Sequence, residues 1–333
     1  MELWLNTGAP MPKNARSQNC AGVITAVVIL LFSVPAFADR IIIIVGKGGQ
    51  SQYTQKFNAY ADKLDKALTS QLGYQSFQIV LLRESGGDSA SHVRRAFAQL
   101  ATIAPEEQVA VIYFGHGTHD GQWAKMNLTG PDLRDVDVAA LLDRLPSRQQ
   151  IVVHTGAASG PFIQKLSHAN RVIITATRGG DENHTTVFPE YFIDALTAGN
   201  EADLDKNGEI SLLEAFDYAR DRLVRFYEDA KRLRPEHPLL DDNGDGEGSE
   251  TPSTASGDGR LANKVYLKAR TSVTTIESVI TNPLLKEKAA LLDEIETFKA
   301  RKSEILEAEY KQKLEELFIK LARLNRQIKS NTP

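Results

Sequence analysis

The stretch of sequence that decides the fold is Val109-Ala110-Val111-Ile112-Tyr113-Phe114-Gly115-His116-Gly117. Its continuous apolar run is typical of a strand that is buried on both faces of a parallel sheet. The two glycines end the strand and place His116 at its carboxyl end, which is where open α/β sheets bind their ligands. A lone histidine is usually structural, so the motif gains weight only from a second unusual strand end beside it.

Strand-length apolar runs recur before and after this stretch and alternate with segments of helical period. The predicted strands are residues 41–45, 77–82, 109–114, 151–154 and 172–176, and the predicted helices are residues 53–72, 89–101 and 136–145. This alternation predicts an open, mostly parallel α/β sheet flanked by helices. Residues 261–269 are expected to return a last strand to the sheet edge, and residues 242–259 are expected to form a mobile surface loop.

The predicted strand at residues 151–154 leads into the second unusual end, which reads His154-Thr155-Gly156-Ala157-Ala158-Ser159-Gly160. Here the chain resembles the caspase-fold cysteine peptidases, nearest to their legumain-like bacterial branch. In that family a strand ending in His-Gly is followed by one ending in Cys-x-Ser-Gly. The resemblance continues in order through residues 172–177, 212–227 and 239–246, so it spans most of residues 39–270. It implies the caspase-like fold and, for a complete site, cysteine endopeptidase activity.

The resemblance assigns family roles to three positions. His116 matches the catalytic imidazole, and Gly117 matches the residue whose backbone amide helps to hold the oxyanion. The nucleophile position is occupied by Ala157, and a methyl group cannot attack a carbonyl. The sequence therefore predicts a pseudo-peptidase whose crevice binds a peptide or a partner protein.

Three other functions remain open at the level of sequence. Ser159 is an alternative nucleophile for His116, although it lies two residues beyond the family's nucleophile position. A hydrolytic metal is a second alternative, with His116, His119, Asp120 and His154 as the ligands that would have to converge. The third is a scaffold in which only the C-terminal helices act and the crevice is vestigial.

The first 38 residues differ in character from the rest of the chain. Lys13 and Arg16 precede an apolar run at residues 21–32, which is followed by Ala36-Phe37-Ala38. This order predicts a signal peptide with cleavage after Ala38, and hence a periplasmic or secreted protein. A retained transmembrane anchor is the competing interpretation, and Met11 is an alternative start.

Cys20 is the only cysteine among the 333 residues. Because it precedes the apolar run, it leaves with the predicted signal peptide, and the exported chain is expected to have neither a thiol nor a disulfide. The composition is 42% hydrophobic and 25% charged, with a formal net charge of −4. We therefore expect a globular protein with no nucleic-acid partner and no membrane attachment after signal cleavage.

Residues 203–214 match the twelve-residue EF-hand calcium loop at every diagnostic position. The expected Ca²⁺ ligands are Asp203, Asp205, Asn207, Ser211 and Glu214 through their side chains and Glu209 through its carbonyl oxygen. An acidic turn that only caps the following helix is the alternative, but it leaves the glutamate at the twelfth position unexplained. Residues 241–246 repeat the first half of the template, but Pro252 stands at the twelfth position. A turn is predicted there, with cation binding as the lesser alternative.

Beyond a Thr- and Ser-rich linker at residues 271–281, the chain is predicted to be helical to residue 330. Its apolar positions alternate steps of four and three and are Tyr310, Leu314, Leu317, Leu321, Leu324 and Ile328. This spacing predicts a coiled-coil seam that closes either on the same chain, as a hairpin, or on a second copy, as a homo-oligomer. The predicted organisation is a signal peptide at 1–38, an α/β domain at 39–270, and a linker with a helical tail at 271–333.

Overall fold

The computed structural model describes residues 39–84, 87–255, 257–269, 283–302 and 305–330. The predicted signal peptide, Cys20 and the predicted linker lie outside the described residues. The strands are β1 (Arg40–Val45), β2 (Ile79–Leu82), β3 (Gln108–Phe114), β4 (Gly117–His119), β5 (Ala124–Met126), β6 (Leu133–Arg134), β7 (Gln149–His154), β8 (Arg171–Thr175) and β9 (Leu239–Asp241). The helices are α1 (Ser51–Ser70), α2 (Ser89–Gln99), α3 (Asp135–Leu142), α4 (Ile163–Leu166), α5 (Phe188–Ala195), α6 (Leu212–Asp229), α7 (Pro283–Ala300) and α8 (Glu307–Ser330).

The main sheet has six strands in the order β2-β1-β3-β7-β8-β9. The first five strands in that order are parallel, and β9 runs antiparallel to β8. This confirms the predicted mostly parallel α/β sheet and the five predicted strands. The other strands, β4, β5 and β6, form a small antiparallel sheet that follows directly after the end of β3.

Alternate residues of the central strands point to opposite faces of the main sheet, and each face has its own hydrophobic core. Ile41 and Ile43 of β1 pack in the core that contains residues of α1, α5 and α6. Ile42 and Ile44 pack in the core that contains residues of α2, α3 and α4. Burial on both faces explains why these strands are unbroken apolar runs in the sequence.

The last strand of the main sheet is β9, so the prediction of a strand at residues 261–269 is wrong. That segment contains a 3-10 turn at Ala262–Lys264 and then runs beside the start of α6, where the Leu212 N–H donates to the Val265 carbonyl. Val265 and Leu267 are buried in the core with α1 and α6. Because β9 already occupies the edge next to β8, the apolar residues of this segment pack against helices instead.

Residues 242–259 are anchored, contrary to the prediction of a mobile loop. Leu240 and Ser249 exchange two backbone hydrogen bonds of 2.9 and 2.8 Å. The buried carboxylate of Asp242 accepts the backbone N–H groups of Gly259 and Ala262 at 2.9 and 2.7 Å. The sequence composition could not reveal this anchor, because the donors come from positions well beyond the carboxylate along the chain.

The tail consists of α7 and α8, which pack against each other. The residues buried between them are Leu291, Ile295, Leu317, Leu321 and Leu324, and three of these are predicted seam positions. Phe298 and Tyr310 stack near the connection between the helices, with ring centroids 5.4 Å apart. The seam therefore closes within the chain as a hairpin, while the coiled coil and the homo-oligomer stay predictions. Within the described ranges, no helix is long and apolar enough to cross a membrane.

Candidate functional site

The ends of β3 and β7 meet at the carboxyl edge of the main sheet. The two strands pair in parallel up to Tyr113 and His154. Beyond them, a Cβ atom on Gly156 would lie 2.7 Å from the carbonyl oxygen of Gly115, and one on Gly117 would overlap the carbonyl oxygen of Ala157. Both turns thus need glycine for their close approach, and the predicted contact between the two unusual strand ends is present.

The imidazole of His116 is half-buried against the first turns of α1. It makes edge-to-face contacts with Tyr53 and Phe57, whose ring centroids are 4.9 and 5.0 Å away. Burial lowers the pKa of His116, and the backbone of Gly48 opposes this shift. The ring is therefore mainly neutral at neutral pH, the form in which an imidazole can accept a proton. The two aromatic neighbours were missed from the sequence, although the start of α1 directly follows the end of β1.

Ala157 occupies the family's nucleophile position and is buried, with an exposed fraction of 3%. The next residue, Ala158, has a left-handed backbone with φ of 50°, which is unusual for a residue other than glycine. Its N–H donates to the Glu182 carbonyl at 2.9 Å, which ties this turn to the loop after β8. A tight, strained turn therefore persists where the family carries its nucleophile.

Ser159 is fully buried, and its hydroxyl group is occupied. Its Oγ accepts the backbone N–H groups of Ala176 and Thr177, each at 3.1 Å, and shares a 3.0 Å hydrogen bond with the Thr177 hydroxyl. These bonds join the turn after β7 to the end of β8. A hydroxyl group held in this way is poorly suited to act as the nucleophile that the sequence left open.

The metal site that would combine the histidines at the strand ends does not form. His154 is fully buried between Tyr113 and Phe162, with ring centroids 4.8 and 4.4 Å away, in the core on the α2, α3 and α4 side. Burial lowers its pKa to about 3. Asp120 lies on the exposed hairpin between β4 and β5 and pairs with Lys125 at 2.5 Å. The side-chain period of a strand explains the failure, because His154 faces the core opposite to the α1 side where His116 lies.

Within the described part of the chain, one group of acidic residues is arranged to hold a metal ion. A carboxylate oxygen from each of Asp203, Asp205 and Glu214 lies within 4.8 Å of the other two. Asp203 accepts the backbone N–H groups of Asn207 and Gly208 at 3.0 Å each. The pKa of Asp205 is raised to about 6, mainly by burial and by the neighbouring charge of Glu214. These oxygen donors fit Ca²⁺, which prefers carboxylates and carbonyls.

The other predicted ligands of this loop have partners of their own. Ser211 caps α6: its hydroxyl accepts the Glu214 N–H at 3.2 Å and donates to the Glu214 carboxylate at 2.8 Å. The Asn207 side-chain oxygen accepts the Glu209 N–H at 2.7 Å. The Glu209 carboxylate pairs with Lys268 at 2.8 Å, which leaves its carbonyl oxygen as the group that the template uses. The loop thus combines a helix cap with converging carboxylates.

The helical tail contacts the same loop. The carbonyl oxygen of Asn207 accepts hydrogen bonds from the Lys288 ammonium of α7 at 2.9 Å and from the Asn325 amide of α8 at 3.1 Å. Asn325 also donates to the Lys206 carbonyl at 3.3 Å. No sequence pattern signalled these contacts, because they join positions roughly eighty and more residues apart.

The comparisons with known proteins add little to this geometry. No family model matches the chain, and no curated protein matches it. Among solved structures, a protein of Geobacter sulfurreducens is similar at 10% identity, covering 61% of this chain and 92% of its own, with a TM-score of 0.39. The Drosophila initiator caspase Dronc is similar at 11% identity, covering 73% of this chain and 95% of its own, also with a TM-score of 0.39. At these scores neither likeness carries an argument.

Proposed function

We propose that this chain is an exported caspase-fold pseudo-peptidase of the legumain-like branch, which binds a peptide or protein at the crevice between His116 and Ala157. The observation that carries the proposal is the end of β7, where alanine stands at the nucleophile position and the Ser159 hydroxyl is committed to β8. The family chemistry needs a thiolate at this point, and the only cysteine is Cys20.

Binding without cleavage is supported by what the crevice retains. The glycines at the ends of β3 and β7 still allow the backbones to approach closely, and the carboxyl edge of a parallel sheet is the usual ligand position. His116 and Gly117 remain at the family positions. We infer that an extended peptide or a loop of a partner protein occupies this edge, with the partner met in the periplasm or outside the cell.

We also propose that Ca²⁺ binds to residues 203–214 and stabilises the fold. The ion would neutralise the three carboxylates that converge there and hold the start of α6. That helix buries Leu212, Phe216, Ala219 and Leu223 in the core beside α1 and α5. Calcium would therefore support an element of the core, which is a structural role and not that of a sensor.

The central test restores the missing atom. In the exported chain, Ala157→Cys is expected to react with a thiol-directed alkylating probe, because the new sulfur lies beside the His116 strand end. His116→Ala in the same background should lower the alkylation rate at neutral pH by about tenfold or more, since the imidazole no longer favours the thiolate.

Ala158→Cys is the matched control, because it places a buried thiol one residue further along the same turn. Its alkylation should not depend on His116. The unmodified exported chain should cleave no member of a broad peptide library. Cleavage by that chain, abolished by His116→Ala, would contradict the pseudo-peptidase proposal. Equal alkylation of Ala157→Cys with and without His116 would show that the crevice does not have the family geometry.

A further inference from the structure

Asp241, the last residue of β9, is buried without a partner. It is completely inaccessible, and neither of its carboxylate oxygens has a hydrogen bond. The Ser167 hydroxyl and the Gly244 N–H lie near enough to oppose the rise in the Asp241 pKa that burial and the charge of Asp245 cause, but neither completes a hydrogen bond. A buried acid with no partner is costly, so its persistence calls for a group that satisfies it.

The segment that follows, residues 241–247, has the local conformation of the calcium loop at residues 203–214; we call it the second acidic loop. Its Asp245 N–H donates to the Asn243 side chain at 2.8 Å, and its Glu247 N–H donates to the Asp245 side chain at 2.8 Å. The same two turns occur at the corresponding positions of the first loop, at 2.9 and 2.7 Å. Gly246 has φ of 82°, close to the 88° of the glycine at the sixth position of the first loop.

The two loops differ at their first position. In the first loop, the Gly208 N–H donates to the Asp203 carboxylate at 3.0 Å. In the second acidic loop, the equivalent Gly246 N–H donates to the Ser167 hydroxyl at 3.0 Å. Asp241 therefore keeps both oxygens free. An acid residue at the first template position thus faces the side chains of the third and fifth positions without being used by the backbone.

We propose that the second acidic loop binds a divalent cation, Ca²⁺, through the side-chain oxygens of Asp241, Asn243 and Asp245. All the donors are oxygens, which favours Ca²⁺ over transition metals. Water would complete the coordination, because Pro252 at the twelfth position has no side-chain oxygen. The pKa of Asp258 nearby is raised to about 6, by burial and then by the charges of Asp241, Asp242 and Asp245, as expected for a cluster of carboxylates without its cation.

The position of this site indicates what it would do. Ser167 directly follows α4, and α4 begins shortly after the turn that carries Ala157 and Ser159. An ion at the second acidic loop would join the end of β9 to the carboxyl end of α4. It would thus brace the element behind the proposed crevice from a side remote from the first calcium loop. This second site does not rest on the pseudo-peptidase proposal or on calcium binding at residues 203–214.

The test is the number of calcium ions bound per exported chain, measured by equilibrium dialysis with radioactive calcium at neutral pH up to millimolar concentrations. Asp245→Asn is the main variant, because Asp245 is exposed and its change does not disturb the core. Glu247→Gln is the matched control, since it removes the same charge from the same loop but leaves all three proposed ligands. We expect Asp245→Asn to bind one ion fewer than Glu247→Gln. Equal numbers of ions in these two variants would overturn the proposal.

Two further variants separate this site from the first loop and from a neutral, protonated Asp241. Glu214→Gln should remove a different ion, so that its combination with Asp245→Asn removes both. Asp241→Asn in a chelator should melt at the same or a higher temperature than the unmodified chain, because a buried charge is gone. Added calcium should then raise its melting temperature less than that of the unmodified chain. An equal rise in both proteins would show that Asp241 binds no ion.

Discussion

Glu214 has two roles at the residue scale, and one substitution separates them. Its carboxylate accepts the Ser211 N–H at 2.9 Å in the cap of α6 and the Leu204 N–H at 2.8 Å in the proposed calcium loop. Glutamine keeps the acceptor oxygen that a capping box needs but loses the negative charge that calcium needs. Glu214→Gln is therefore expected to preserve the fold in a chelator and to lose most of its stabilisation by calcium.

Thermal melting in the Asp245→Asn background measures this effect, because only the first loop is then titrated. Calcium at 100 times its dissociation constant should add about 2.7 kcal/mol by mass action, and the loss in Glu214→Gln should approach that value. A lone loop of an extracellular module binds at about 10⁻⁴–10⁻³ M, so the titration must reach millimolar calcium. Glu209→Gln is the control, since the template uses its carbonyl oxygen. If calcium stabilises all of these proteins equally or not at all, the loop is only a helix cap.

Asp258 makes a second prediction at the residue scale, for the protein in a chelator. Its folded pKa is about 6, above the value of about 3.9 expected in an unfolded chain. The native state therefore holds the proton more tightly, so the contribution of Asp258 to stability is full below about pH 4 and is lost as the pH rises through about 6. Asp258→Asn keeps an acceptor for the Asp242 N–H but cannot ionise.

Asp258→Asn is accordingly expected to be more stable than the unmodified chain at neutral pH, by on the order of 2 kcal/mol, and similar to it near pH 4. Urea unfolding at the two pH values measures the difference. A variant that is less stable at both pH values would show that Asp258 contributes as a charged group.

At the element scale, the hairpin of α7 and α8 should depend on its buried seam. Leu321 is fully buried between the two helices, whereas Ile319 on the same helix is 46% exposed. Leu321→Ala is expected to destabilise the hairpin by roughly 2–5 kcal/mol, because the cavity cannot close completely. Ile319→Ala is the matched control and should change little.

Hydrogen exchange of the backbone amides at residues 283–330 measures this loss locally. Faster exchange confined to the tail of Leu321→Ala is the expected result, with the sheet protected as before. Equal exchange in Leu321→Ala and Ile319→Ala would contradict the role of the seam. Faster exchange that also reaches residues 203–214 would indicate that the contacts of Lys288 and Asn325 help to order the calcium loop.

At the scale of the whole molecule, the closed hairpin predicts a monomer. The apolar faces of α7 and α8 are buried against each other, which leaves the seam no free face for a second copy. Light scattering of the exported chain should therefore give the mass of one chain. A chain shortened after residue 270 should remain a monomer and lose the helical signal of the tail. A dimer that becomes a monomer on this truncation would instead support the homo-oligomer.

The sequence by itself determined the parallel sheet, the meeting of two unusual strand ends and the absence of a nucleophile at Ala157. A strand buried on both faces must be apolar throughout, and parallel strands bring their carboxyl ends to one edge, so residue order alone carries this information. The tertiary structure decided the direction of His154, the engagement of Ser159 by β8, the closure of the tail on itself and the unpartnered state of Asp241. Each of these depends on contacts between side chains and backbone groups from distant parts of the chain, and no local periodicity or motif encodes such contacts.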